Sequence, residues 1–163
     1  NWYLTYLRIT KKEAIMEQTF INLIKLCVGA QSISDLAEWQ SQKIDALRVI
    51  NSPEKVFHIT RMRPKRETEL LSGGSIYWVF KGLILARQKI MALEEVVGND
   101  NIKRCRIVLN TEIYKTIPRP KRAFQGWRYL KKEDSPNDVG KYLMNEDELP
   151  HELQLELSRL GVR

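Results

Sequence analysis

The chain predicts an α+β domain: a curved, mainly antiparallel sheet, or a small open barrel, with helices packed at its flanks. Three observations lead there. Short apolar runs with period-two alternation recur between residues 56 and 130, separated by glycine- and proline-bearing breaks. Helical spacing is confined to a stretch near residues 32–49, a short one before Gly73, and one at the C-terminus. A chain of 163 residues, 43% hydrophobic, is about one domain with a real core.

Residues 1–15 read as an N-terminal extension with an amphipathic pattern, and Met16 as the more natural start of a single domain that runs to residue 163. Phe20 to Val28 reads as a strand partly buried on both faces, ended by Gly29. Ser32 to Val49 is the clearest helix, with Ser34 as N-cap and Leu36, Trp39, Lys43, Ile44 and Leu47 on an inward stripe. Asn51-Ser-Pro53 closes it. Val56 to Thr60 is a short strand with Val56, His58 and Thr60 on one face and Phe57 and Ile59 on the other. Pro64 suits the first turn of a short helix through Leu71, ended by Gly73-Gly74.

From Ser75 the period becomes two. Ile76, Trp78 and Phe80 alternate with Tyr77 and Val79, which makes one of Tyr77 and Trp78 core and the other a surface platform. Leu83 to Leu93 fits a strand or a helix and is read as a strand, with Gly82 as a kink or bulge of the kind that lets a sheet close. Gly98 to Asn101 is a turn before a strand at Arg104–Leu109. Pro118 and Pro120 suggest an extended linker, and Phe124 to Leu130 a final strand or ordered loop. The acidic tail carries Glu146-Asp-Glu148, read as solvated, and a helix over Pro150–Leu160 with Leu153, Leu157 and Leu160 on one stripe.

Charge is the most informative functional signal. Lys55 to Lys132 holds eighteen Lys or Arg against six Asp or Glu, a balance of +12; the preceding stretch is neutral and the following one −5, which sums to the net +7. The excess is threaded with rings and glycines, in Arg61-Met-Arg-Pro-Lys-Arg66, Gly73-Gly-Ser-Ile-Tyr-Trp78 and Phe124-Gln-Gly-Trp-Arg-Tyr129. Concentrated cations beside planar side chains suit a polyanion with flat faces, the chemistry of a nucleic acid. The expected contacts are Arg61, Arg63, Lys65, Arg66, Arg119, Lys121, Arg122 and Arg128 to phosphates, Trp127, Tyr129 and Tyr77 as stacking faces, and Gln125 for base edges. Against this stand Arg–Glu pairs within Arg61–Glu69, which would neutralise that string, and a core role for Phe124.

His58 is the one histidine near this centre and a possible polar centre of the site. It reads as a hydrogen-bonded strand residue, or as acid–base group of a small-ligand enzyme with Arg61 and Arg128 as anion clamp. Cys27 and Cys105 lie in apolar runs and read as buried thiols of a reducing compartment. No close-spaced metal-ligand pair, phosphate-loop motif or nucleophile elbow is present, so no metal and no cofactor is implied. No apolar run reaches the roughly 20 residues that cross a bilayer, and a cytoplasmic location is expected.

Several strings together carry a resemblance: Leu23-Ile-Lys-Leu-Cys-Val-Gly29, His58-Ile-Thr-Arg-Met-Arg-Pro-Lys-Arg66, Gly73-Gly-Ser-Ile-Tyr-Trp-Val-Phe-Lys-Gly82, Arg87-Gln88, Arg104-Cys105 and Phe124-Gln-Gly-Trp-Arg-Tyr-Leu130. In this order they resemble an uncharacterised alphaproteobacterial family, domain of unknown function 1489, from about Phe20 to Gly161. The resemblance implies a bacterial cytoplasmic protein and assigns no activity or catalytic residue. Arg63 stands where that pattern leads one to expect an aromatic ring. In shape alone, the succession of strand, helix, basic turn and kinked strands is similar to PUA-like barrels, many of which bind RNA; a fold by itself does not fix function. The expectation is an RNA-binding module with a basic, aromatic-lined face. The alternative is a protein or enzyme that binds a nucleotide-like small ligand.

Overall fold

The computed structural model describes residues 2, 4, 5, 19–144 and 146–161. The reading of residues 1–15 as an extension, and of Met16 as a start, falls outside them apart from residues 2, 4 and 5. Among the described residues from 19 onward, eight strands and three helices follow in the order β1 (Asn22–Leu26), α1 (Ile33–Val49), β2 (Val56–Thr60), α2 (Glu67–Leu71), β3 (Ser75–Phe80), β4 (Leu83–Val97), β5 (Lys103–Leu109), β6 (Tyr114–Pro120), β7 (Trp127–Leu130), a 3₁₀ turn (Lys132–Asp134), β8 (Asp138–Lys141) and α3 (His151–Arg159). No helix among the described residues is long and apolar enough to cross a membrane.

The strands form one sheet in the order β2-β5-β4-β3-β1-β7, with β6 on β4 and β8 on β6. Only β1 and β3 pair in parallel; every other pair is antiparallel. The α+β, mainly antiparallel reading holds, but the sheet stays open, with β2 at one end and β7 at the other. Gly82 explains part of the difference. It is not a bulge: Lys81 and Gly82 both take positive φ, 45° and 80°, and form the two-residue hairpin between β3 and β4. The register shifts lie within the strands, at Trp78/Val79, Ile84/Ala86 and Ile90/Ala92.

The prolines of β6 belong to a strand rather than a linker. Ile84 faces Arg119 and Ala86 faces Lys115, so Thr116 to Pro118 bulge opposite Leu85 and Pro118 owes no ladder N–H. Pro120 is the last residue of β6.

The main core lies between the sheet and the helices and includes Leu23, Leu36, Leu70, Ile76, Trp78, Phe80, Leu83, Ile90 and Ile107. A smaller cluster covers the opposite face of β1, β3 and β7: Ile24, Tyr77, Val79, Ile84, Phe124 and Leu130. Because both faces are covered, all of β3 is buried. Trp78 and Tyr77 are both core, at 4% and 7% exposure, so Tyr77 is not the surface platform that alternation suggested.

In α1 the cap is Ser32, whose Oγ accepts the N–H of Asp35, rather than Ser34. The buried residues are Ile33, Leu36, Ala37 and Gln40, with Trp39 half exposed. The helix after the basic turn begins at Glu67, not at Pro64, because Arg66 has ψ of 49° and ends the turn outside helical geometry. Gly74 has room for no side chain: a Cβ would lie 2.2 Å from the Ile21 carbonyl oxygen, where α2 passes to β3 across the start of β1.

The tail is less solvated than its sequence suggested. Lys115 Nζ pairs with Glu146 at 2.7 Å and the Ser34 N–H donates to Glu148, so the acidic string fastens α3 to β6 and α1. The inward side of α3 carries the partly buried Leu155, which packs on the main core, and Leu157; Leu153 and Leu160 are exposed.

One buried polar network crosses the main core. Gln40 Nε2 and Trp78 Nε1 both donate to Gln88 Oε1, at 2.9 and 3.0 Å. Gln88 Nε2 donates to Gln40 Oε1 at 2.8 Å and to the Asn110 carbonyl at 3.1 Å. With Gln88 fully buried, every polar atom of its carboxamide is satisfied. Gln88→Leu would strand the Gln40 amide and the indole N–H, and urea unfolding is expected to show a loss of about 2–4 kcal/mol. A loss below about 1 kcal/mol would show that the network contributes little.

Candidate nucleic-acid interface

Two of the basic strings, sixty residues apart, meet on β7. Pairing with β1 sets Trp127 opposite Lys25 and Tyr129 opposite Leu23, so both rings face the main core while Arg128 faces the other side. Trp127 Nε1 donates to the Met62 carbonyl at 2.7 Å. The Tyr129 hydroxyl accepts the N–H groups of Lys65 and Arg66 at 2.9 and 3.1 Å. The rings pack edge to face with centroids 4.9 Å apart, and the Arg66 guanidinium lies 5.3 Å from the Tyr129 ring. The turn at residues 61–66 is therefore docked against the inner side of β7. Trp127 and Tyr129 are half-buried and are spent first on holding that turn.

The cations of this region have two fates. Arg63 pairs with Glu67 at 3.1 Å, and Arg66 pairs with Glu69; both bridges stay within the turn and α2. The hydrogen bond from Arg66 holds the Glu69 carboxyl below its usual range. Two of the four cations are thereby neutralised, and Arg61 and Lys65 form no ion pair among the described residues.

The second group lies past β6. Lys121, Arg122, Arg128, Lys131 and Lys132 form no ion pair among the described residues. Lys121 Nζ and the Arg128 guanidinium lie 5.7 and 5.0 Å from the Phe124 ring, and Lys132 Nζ lies 5.1 Å from Phe20. Phe124 is itself buried, so it serves as a platform for cations. Arg119 is half-buried and donates to the Asp134 carbonyl, which removes it from the exposed set. Gln125 is exposed beside them. Because β7 is the end strand, its outer edge is unpaired in the sheet. Lys131 and Lys132 belonged to the charge count but not to the expected contacts.

His58 lies elsewhere, inside the junction of β2 with the main core. Its ring meets Trp78 edge to face at 5.8 Å and 87°. Burial, with the charges of Lys25 and Lys43 added, pushes its pKa down to about 4, so the imidazole is neutral at pH 7. Nε2 is buried without a hydrogen-bond partner among the described residues. Arg128 faces away from Trp127, on the other side of β7, so a clamp formed by His58, Arg61 and Arg128 around Trp127 is not assembled. Burial pushes the Cys27 thiol up to about 12 and raises that of Cys105, which makes both poor nucleophiles. Among the described residues no three His, Cys, Asp or Glu are grouped to hold a metal ion.

Fold and site together define an open-sheet α+β protein with a basic flank along an end strand. Residues 23–163 match the family described as Protein of unknown function (DUF1489), and the chain belongs to that family. No curated protein and no solved structure matches it.

Two outcomes follow from this geometry. Tyr129→Phe removes the acceptor of two backbone donors while keeping the ring. A stability loss of about 1–2 kcal/mol is expected, with faster amide exchange at Lys65 and Arg66; unchanged exchange there would mean the hydroxyl does not hold the turn. For His58, the unfolded chain takes up a proton near pH 6.5 and the folded one only near pH 4. The unfolded state thus binds more protons in that window, so this contribution is complete above pH 6.5 and is lost as pH falls toward 4, by at most about 3 kcal/mol. His58→Leu should flatten the unfolding free energy against pH there, and parallel curves would contradict the assignment.

Proposed function

We propose that this protein is a nucleic-acid-binding module with RNA as its polymer, working in the cytoplasm. The observation that carries the reading is the group of five cations, Lys121, Arg122, Arg128, Lys131 and Lys132, left without carboxylate partners beside an open sheet edge. In a protein with eleven ion pairs among its described residues, that concentration of unpaired charge is a surface with anion-binding capacity. Arg61 and Lys65 extend it around the docked turn. These seven residues contact phosphates. Arg63 and Arg66 contribute less, because contact with a phosphate must first displace Glu67 or Glu69, and Arg119 orders the backbone at Asp134. Gln125 reaches base edges, and the exposed parts of Trp127 and Tyr129 offer limited stacking. Tyr77 is buried and takes no part. The likeness to PUA-like barrels lends no support, since the sheet is open.

The test is fluorescence anisotropy with labelled single-stranded RNA, duplex RNA and DNA across a salt series. Micromolar affinity at low salt is expected, with log affinity falling linearly against log salt and RNA preferred. Arg122→Glu with Arg128→Glu should weaken single-strand binding at least about tenfold and reduce the slope by about 1.4, two contacts' worth. Arg63→Ala with Arg66→Ala should do less. Equal affinity of the Glu double variant and the wild type would refute the reading.

A further inference from the structure

A row of paired residues crosses the sheet on the face of Arg128: Ile24 opposite Arg128, Tyr77 beside Ile24, Arg87 opposite Tyr77 and Tyr114 opposite Arg87. Next to this row, where β7 runs on into Lys131 and Lys132, lies a cavity of about 280 Å³. Asn22, Ser75, Arg87, Ser135, Asn137 and Asp138 contribute to its wall. Asn22 Nδ2 donates to Ser135 Oγ at 2.9 Å, and Asn22 Oδ1 accepts the Ser75 N–H at 2.8 Å. The Arg87 guanidinium donates to both oxygens of Asp138, at 2.7 and 2.6 Å, and to Ser75 Oγ at 3.0 Å. The charge of Arg87 is thus already matched, and the wall offers polar groups without a net charge of its own. At the exposed rim the Asn137 carboxamide presents a donor and an acceptor side by side.

A second cavity, of about 510 Å³, adjoins the first and shares Phe20 and Lys132 with it. It adds Lys131, and its Arg66 is held by Glu69, with Glu133 as its other carboxylate. Phe20 is half-buried at the boundary, with Lys132 Nζ 5.1 Å from the ring centroid. We propose that the two cavities together receive one unpaired nucleotide of a single-stranded RNA, its base in the smaller cavity against Phe20 and its phosphate at Lys131 and Lys132. This rests on the nucleic-acid reading and adds to it the place where a base is taken in. A base edge carries donors and acceptors but no charge, which suits the neutral polar wall; an anion there would meet Asp138. The base takes the place of the Lys132 ammonium over the ring, and the ammonium is released to the phosphate. The wall is fixed by its own hydrogen bonds before a ligand arrives, so little ordering remains to oppose binding. A duplex has its base edges already paired and cannot supply the nucleotide, so the site favours single strands.

The probe is a labelled single-stranded RNA of about ten nucleotides, compared with the same strand made abasic throughout. The full chain should bind the ordinary strand at least about fivefold more tightly than the abasic one. Phe20→Leu, which keeps an apolar side chain beside Gly73, should weaken binding of the ordinary strand at least about fivefold. It should leave the salt slope and the affinity for the abasic strand unchanged, because no phosphate contact is lost. Arg122→Glu with Arg128→Glu should do the reverse, lowering the affinity for both strands alike together with the slope. In the wild-type chain, the carboxamide NMR signals of Asn22 and Asn137 should shift with the ordinary strand and not with the abasic one. A nucleoside monophosphate should shift them only at far higher concentration; equal affinity for it and for the strand would overturn the assignment to a strand. Unmoved Asn22 and Asn137 signals in a chain that binds the strand, with Phe20→Leu binding as tightly as wild type, would overturn the base site and leave the phosphate-contacting surface standing. Absence of binding by any strand would remove both.

Discussion

The backbone hydrogen bonding of β4 is the constraint on which the rest of the structure depends. Its fifteen residues take β3 along one edge and β6 and β5 in series along the other. At the changeover the Ile90 N–H reaches the Gly74 carbonyl at 3.0 Å, and the Lys89 carbonyl accepts from Asn110 at 2.8 Å. Every other strand is attached through one of these three neighbours: β1 and β7 through β3, β2 through β5, and β8 through β6. Gln88, at the same point of β4, adds a side-chain bond to α1. Both the basic flank and the His58 junction are thus positioned by a strand that contributes no residue to either.

Much of the local structure was legible because it depends on near neighbours. Val56–Thr60 alternates and is a strand over that whole range, and the pairing of Arg63 and Arg66 with Glu67 and Glu69 follows from spacings of four and three. What failed to show was set by distant partners. Alternation in β3 could not reveal that the outer face is covered by Phe124 and Leu130, so Tyr77 looked like a platform. Pro118 and Pro120 looked like a linker because a bulge that excuses the missing N–H is a property of two strands, not of one. Trp39 has the spacing of a core residue, yet the helix turns Ile33, Leu36, Ala37 and Gln40 inward, where the carboxamide of Gln40 meets Gln88.

The site was half legible for the same reason. Composition located the cations, and the docking of Met62, Lys65 and Arg66 on Trp127 and Tyr129 joined two of the strings it singled out. Composition could not say which cations would remain uncompensated. The arginines nearest in sequence to carboxylates are paired, while Lys121, Arg122 and Arg128 rest near an aromatic ring or in the open and keep their charge available. Lys25 drew no attention as a single cation in an apolar run. The sheet register sets it between Trp78 and Trp127, a placement that the run around it could not show.

The open end of the sheet at β7 has one further consequence. An unpaired edge strand is a template on which a second chain can add itself, and the end result of such addition is aggregation. Here the exposed edge is four residues long, bears Arg128 at its middle, and runs directly into Lys131 and Lys132. Two copies meeting edge to edge would bring these charges together over a ladder too short to compensate the repulsion. The same cations that would attract a polyanion therefore act as gatekeepers against self-association, and salt, by screening them, weakens both effects together.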